Sequence, residues 1–164
     1  MASDDFVVTP WNVEGDIDYD KLIKRFGTQK ITPELLSKIE KFTNESHFML
    51  RRGIFFSHRD LNRLLDDYEK GKKFFLYTGR GPSGHTHIGH LVPWVFAKWL
   101  QDKFETKMYF QLTDDEKFWS KKDMTLEKTS EFALENALDF IALGFKPENT
   151  KIIIDTKNIK TLYP

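Results

Sequence analysis

The sequence predicts an α/β fold: a parallel sheet preceded by a mostly helical segment. Two observations carry that reading. From Lys73 onward, the short apolar runs Lys73–Thr78, Lys107–Leu112 and Lys151–Asp155 alternate with long helical stretches. Before Lys73, apolar residues recur at helical spacing instead. The order strand, helix, strand, helix, strand implies right-handed crossovers and parallel pairing. Residues 1–70 therefore read as a helical extension, and residues 71–164 as the sheet domain.

Phe6 to Val13 alternates weakly and carries Pro10, which limits it to an edge strand or a hairpin. Tyr19, Leu22, Ile23 and Phe26 share one helix face, and Gly27 is the stop. Thr32-Pro33-Glu34 supplies an N-cap, a first-turn proline and a first-turn acid. Leu35, Leu36, Ile39 and Phe42 then form the apolar face of a second helix. Ser57-His-Arg-Asp60 reads as a capping-box variant ahead of Leu61, Leu64, Leu65 and Tyr68, with Gly71 as terminator. Lys73–Thr78 reads as a buried strand, Gly79 to His87 as a glycine-rich loop, and Leu91 to Phe104 as an apolar helix. Lys107–Leu112 is the second strand. Leu126 to Leu143 is an amphipathic helix ended by Gly144, with Pro147 beyond it, and Lys151–Asp155 is the third strand. Ligands of such sheets sit outside the carboxyl ends of the strands, here Tyr77–Ser83, Gln111–Glu116 and Asp155.

The 164 residues suit one domain, and 15% aromatic content favours a packed core over disorder. Lys plus Arg equals Asp plus Glu at 25 each, so there is no global basic footprint for nucleic acid. The absence of cysteine excludes disulfides, thiolate metal sites and cysteine nucleophiles. The first residues lack signal-peptide character, and no apolar run approaches the roughly 20 residues of a membrane span.

Most of the chemistry lies in Thr78-Gly-Arg-Gly-Pro-Ser-Gly-His-Thr-His-Ile-Gly-His90. Gly79-x-Gly81-x-x-Gly84 matches the dinucleotide fingerprint in letters, and a dinucleotide-binding domain is the alternative function. Against it, Pro82, Ser83, Gly84 and His85 postpone the helix past the third glycine, so its N-terminus does not face a pyrophosphate. The acids at the next strand end, Asp114 and Asp115, also lie too far downstream, and no Walker lysine follows the glycines. Three of the five histidines are His85, His87 and His90. No carboxylate sits at ligand spacing beside them, so no metal site is assigned. Two histidines at a helix N-terminus can present N–H donors to negative charge developing on a phosphate. Gly89 lets a flat base approach the backbone.

His87-Ile-Gly-His90 behind a glycine-rich loop resembles the signature of class I aminoacyl-tRNA synthetases. Four further blocks narrow the likeness to the eukaryotic and archaeal type of tryptophanyl-tRNA synthetase. They are Arg51-Arg-Gly-Ile-Phe-Phe-Ser-His-Arg-Asp60, Phe75-Leu-Tyr-Thr-Gly-Arg-Gly-Pro-Ser83, Lys98-Trp-Leu-Gln-Asp102 and Thr113-Asp-Asp-Glu-Lys117. The resemblance runs from Val8 to Asp155. It implies that 71–164 is the first half of a class I synthetase Rossmann-like parallel sheet. It further implies a tryptophan–tRNA ligase that uses ATP and Mg²⁺, forms tryptophanyl-adenylate, charges tRNA and works as a homodimer. The lack of signal-peptide character and of a membrane-span run reads as a cytoplasmic protein without a membrane.

By the same resemblance, His87 and His90 contact ATP phosphates, while Thr78, Gly79, Arg80, Gly81 and Gly89 line the nucleotide site. Tyr77 and Gln111 bind the indole nitrogen, a donor-only group that needs acceptors. Glu116 pairs with the substrate ammonium. The residues taken alone admit plainer roles: a surface salt bridge for Arg80, a core aromatic for Tyr77, a strand-end polar residue for Gln111, and a capping-box partner of Thr113 for Glu116. A tyrosyl enzyme is the close competitor, and the Thr113–Lys117 block favours tryptophan. His85 has no role in the resemblance, and the stretch between Ser83 and His87 is shorter than the family's usual form. Val8-Thr-Pro-Trp-Asn-Val13 resembles an extension that helps close the ATP site. A Lys-Met-Ser-Lys-Ser-like loop, the rest of the sheet and the anticodon-binding helices are expected beyond Pro164. The chain thus reads as an N-terminal fragment, inactive alone, whose zero net charge goes with a missing tRNA surface.

Overall fold

The computed structural model describes residues 6–8, 13–15 and 18–162, in two units, Met1–Asp66 and Asp67–Pro164. In the first unit, β1 (Phe6–Val8) pairs antiparallel with β2 (Val13–Gly15). Pro10, and with it the middle of the extension-like segment, lies outside the described residues. Helix α1 (Tyr19–Phe26) is capped by the Asp18 carboxylate, which accepts from the Asp20 and Lys21 amides at 3.0 Å. It ends at Gly27 with φ 61°, in the left-handed region that glycine tolerates. Helix α2 (Pro33–Thr43) starts as expected, with Thr32 Oγ1 accepting from the Leu35 amide at 3.3 Å, and buries Leu35 and Ile39.

Three short elements were not anticipated: β3 (Gln29–Lys30), its antiparallel partner β4 (Ser57–His58), and α3 (Phe48–Arg51). Ser57 is therefore a strand residue, and the expected Ser57–Asp60 capping box does not form. The Leu61 amide instead donates to His58 Nδ1 at 3.2 Å at the start of α4 (Leu61–Glu69). Likewise the Met49 amide donates to His47 Nδ1 at 3.3 Å in α3.

These two histidine caps make a pH prediction. Burial is the main cause holding both His47 and His58 below the ordinary histidine range. The unfolded chain then binds protons first, at about pH 6.5. Stability should be complete above that pH and fall as the pH drops below it. Urea midpoints at pH 7.5 and 5.5 should differ accordingly. A His47→Asn, His58→Asn double variant, which keeps acceptors without titrating, should shrink the difference; an unchanged drop would refute this account.

In the second unit, β5 (Phe75–Arg80), β6 (Lys107–Leu112) and β7 (Thr150–Ile154) form a parallel sheet in that order. Helix α5 (Ile88–Phe104) connects the first two strands, and α6 (Asp114–Ser120) and α7 (Leu126–Ala142) connect the last two. One sheet face carries Met108, Phe110, Leu112 and Ile154, packed with Trp94 and Ala97 of α5 and with Ala133, Ala137 and Phe140 of α7. Phe110 stacks on Phe140 at 3.8 Å between ring centroids and meets Trp94 edge-on at 5.1 Å. Both long helices serve this face.

The other face carries Phe75 and Tyr77, each 62% exposed, so β5 is not the buried strand expected from its aromatic run. Helix α5 begins at Ile88, ahead of the expected Leu91, because His87 caps it. Asp155 does not end the third strand; it opens an unanticipated helix, α8 (Asp155–Leu162). Helix α6 was also missed as an element of its own. The buried Asp114 carboxylate at its start accepts from the Thr156 amide at 3.1 Å and hydroxyl at 2.5 Å, tying α6 to α8.

Candidate active site

The carboxyl ends of the three strands position the predicted residues. Arg80 closes β5 and braces the loop that follows. Its guanidinium donates to Thr86 Oγ1 at 2.8 Å and to the Gly84 and His85 carbonyls at 3.0 and 2.9 Å. Asn136 Nδ2 of α7 donates to the same Gly84 carbonyl at 3.2 Å. The plain surface salt bridge considered for Arg80 is thus replaced by a loop-holding role. His85 turns outward, with Nδ1 2.8 Å from Glu135 Oε1, and its ring meets Phe132 edge-on.

Beyond the loop, His87 and His90 cap α5 reciprocally. The Gly89 amide donates to His87 Nδ1 and the His87 amide to His90 Nδ1, both at 3.2 Å. The two rings lie 3.8 Å apart between centroids. A neutral imidazole whose Nδ1 accepts must carry its proton on Nε2. Both rings therefore hold an Nε2–H donor at the N-terminus of a 17-residue helix, where the backbone also favours an anion. Burial first, then the charges of Arg80 and His87, hold His90 below the ordinary histidine range and favour that neutral form.

Across the rim, the Thr113 amide donates to the Arg80 carbonyl at 3.1 Å and so joins the ends of β5 and β6. Thr113 Oγ1 caps no backbone amide; it donates to Glu116 Oε2 at 3.3 Å, so the expected capping box is absent. Lys117 Nζ bonds the Glu116 carboxylate at 3.0 Å, and this bond is the main cause holding Glu116 below the usual carboxylate range. The aliphatic part of Lys117 lies across Gly81, where a Cβ would collide with it. Lys117 therefore belongs to the site although sequence reasoning did not single it out. Its sequence signal is its place at the end of the Thr113–Lys117 block, one residue after Glu116.

On the open sheet face, Tyr77 Oη donates to Gln111 Oε1. Gln111 Nε2 in turn donates to Asp155 Oδ1 at 2.8 Å and Oδ2 at 3.0 Å. Burial pushes the Asp155 carboxyl up, the Gln111 bond opposes this, and the charges of Asp115 and Asp114 add to it. Thr78, in register with Phe110, lies on the covered face instead. Gly89 is exposed in the first turn of α5. Among the described residues, no group of three or more His, Asp or Glu is arranged to hold a metal ion, and no helix is long and apolar enough to cross a membrane.

Two glycines give a paired prediction. Gly79 faces Gln111 across the ladder, and a Cβ there would collide with the Gln111 backbone carbonyl. Backbone cannot swing away, so Gly79→Ala is expected to cost about 1–3 kcal/mol or more. Gly81→Ala meets only the flexible Lys117 side chain, so it should cost less than 1 kcal/mol while displacing the ammonium. Urea denaturation of both variants checks the order, and equal costs would contradict it.

Residues 69–163 match the family of tRNA synthetases class I (W and Y). The chain belongs to this family. It is 55% identical to the tryptophan–tRNA ligase of Saccharolobus solfataricus over 161 residues, 98% of this chain and 42% of that protein. The crystal structure of Plasmodium falciparum tryptophanyl-tRNA synthetase is 48% identical, with a TM-score of 0.86 over 90% of this chain and 41% of that one. The Encephalitozoon cuniculi tryptophanyl-tRNA synthetase bound to tryptophan is 44% identical, with a TM-score of 0.82 over 87% and 40%. Within the family, the likeness is thus to the tryptophanyl enzymes of archaeal and eukaryotic type. The chain spans about two fifths of their length, and its three-stranded parallel sheet with helices matches part of the class I synthetase catalytic domain.

Proposed function

We propose that the protein carrying this chain is a cytoplasmic tryptophan–tRNA ligase that forms tryptophanyl-adenylate and transfers it to tRNA. The observation that carries this reading is the reciprocal cap of His87 and His90, which leaves two neutral Nε2–H donors at the start of α5. In the reaction, a carboxylate oxygen of tryptophan attacks the α-phosphorus of ATP in line, and pyrophosphate leaves with the electron pair of the broken P–O bond. Catalysis of this kind rests on positioning and on donors aimed where charge develops. His87 and His90 supply those donors, and Gly89 leaves room beside the adenine. Gly79 and Gly81 add no side chain to the nucleotide site, Arg80 braces the loop that walls it, and Thr78, whose side chain lies on the covered face, contributes backbone alone.

Tyr77 and Gln111 accept the indole N–H, and Glu116 takes the substrate ammonium in place of Lys117 Nζ. The Lys117 ammonium so released adds to a donor set that suits a triphosphate. Mg²⁺ would be held largely by ATP phosphates and water, as is usual for this ion, and would neutralise the leaving pyrophosphate. The N-terminal segment, residues 1–70, acts as an extension of the catalytic domain that begins at 71. The full-length protein acts as a homodimer.

Tryptophan-dependent ATP–pyrophosphate exchange by the full-length protein tests the proposal. Exchange driven by tyrosine instead, or NAD binding without ATP binding, would overturn it. The start of α5 beyond Gly84 speaks against the dinucleotide alternative.

A further inference from the structure

We propose that Asp155 is a positioning residue for substrate choice: its carboxylate orients the Gln111 amide so that only acceptors face the indole N–H. This inference rests on the tryptophan-binding role proposed above for Tyr77 and Gln111. A glutamine amide has a donor end and an acceptor end of nearly the same shape, and nothing in the side chain itself decides which end faces a ligand. An ionised carboxylate decides it, because it only accepts. Gln111 Nε2 lies 2.8 and 3.0 Å from the two Asp155 oxygens, so both ends of that carboxylate call for the NH₂ group. Oε1 is left to point the other way, where it accepts from Tyr77 Oη.

The order of protons is then set along the whole row. Gln111 donates to Asp155, and Tyr77 donates to Gln111. The Tyr77 oxygen, its own proton committed, offers lone pairs outward. The row ends on the open sheet face with acceptors and no donor, which suits a partner that can only donate. A reversed amide would place two N–H groups toward Tyr77 and the substrate, and would set one carbonyl oxygen against a carboxylate.

Asp155 is well placed for this duty. It is 5% exposed, and it opens α8, where the helix N-terminus favours its negative charge. Asp114 pins the next residue, Thr156, through its amide and hydroxyl. The carboxylate thus sits on a fixed element rather than a loop. Forty-four residues separate Gln111 from Asp155 in the chain, so only the β6–β7 pairing brings them together.

The test compares two ligands of nearly one shape, tryptophan and β-(3-benzothienyl)alanine, in which sulfur replaces the indole N–H. Dissociation constants are measured for the full-length protein and its variants. The wild type should prefer tryptophan by about tenfold, the worth of one well-made hydrogen bond in a desolvated site. Asp155→Asn can accept or donate, so it releases the amide, and the preference should shrink to about two- or threefold. Asp155→Ser, a residue suited to a helix start, should behave alike and covers the case of a misfolded amide variant. Asp155→Glu keeps an acceptor-only group and should restore part of the preference. General damage to the site would weaken both ligands equally and leave their ratio unchanged. An unchanged ratio in the variants would therefore overturn the positioning role. If the wild type bound neither ligand, the proposed function itself would fall, which is a separate result.

Discussion

Replacing His90 with alanine is expected to slow tryptophanyl-adenylate formation by roughly 10²–10³-fold, the usual cost of losing one donor aimed at developing charge. Tryptophan affinity should change far less, because the lost contact strengthens only as the α-phosphorus is attacked. His90 also accepts the His87 amide proton through Nδ1, so the alanine variant loses a cap as well as a donor. The exposed position of His87 softens that second loss, since water can take over the amide. His90→Gln separates the two roles. Its carbonyl can accept from the His87 amide while its NH₂ donates outward, so it should recover part of the rate. Single-turnover adenylate formation and equilibrium tryptophan binding give the two readouts. Equal losses in both, with no recovery in the glutamine variant, would mark His90 as merely structural.

The features readable from sequence were those set by neighbours in the chain. Thr32 and Pro33 announce α2, Gly27 and Gly144 stop their helices, and the apolar run at Lys107–Leu112 has the bounds of β6. Pro82, Ser83, Gly84 and His85 also correctly postpone α5 beyond the third glycine. What escaped depends on partners distant in sequence or on residues used against their habit. Histidine ranks low among capping residues, yet His47, His58, His87 and His90 each receive a backbone amide proton at a helix start. The Ser57 hydroxyl and the Thr113–Glu116 spacing look like caps, but strand pairing claims Ser57, and the Glu116 carboxylate takes the Thr113 hydroxyl and Lys117 Nζ instead of a backbone amide. Lys117 over Gly81 and Asp155 beside Gln111 follow from which strand ends adjoin, and no local period encodes that. Helices α6 and α8 are short and mostly polar, so they show little periodicity to detect.

Phe110→Ala is expected to remove about 3–5 kcal/mol of stability, the largest loss foreseen from a single substitution in this chain. Phe110 has no exposed surface, stacks on Phe140 at 3.8 Å and supports Trp94 edge-on. Phe140 in turn stacks on Phe145 at 4.0 Å, so the cavity would open in the middle of a row of rings rather than at its end. Phe110→Leu refills much of that space but gives up the ring contacts, and should cost about 1–2 kcal/mol. Urea denaturation followed by Trp fluorescence reads both values. The functional consequence should be indirect. Trp94 lies 6.2 Å from the His90 ring between centroids, and Phe110 is the chain neighbour of Gln111, so a loosened core reaches both halves of the site. Full-length Phe110→Ala protein, folded and assayed well below its melting temperature, should keep most of its exchange activity, because the donors and acceptors of the site are all still present. A variant that kept its stability but lost activity would show instead that Phe110 acts on the site directly and that the ring stack is not what holds the sheet to its helices.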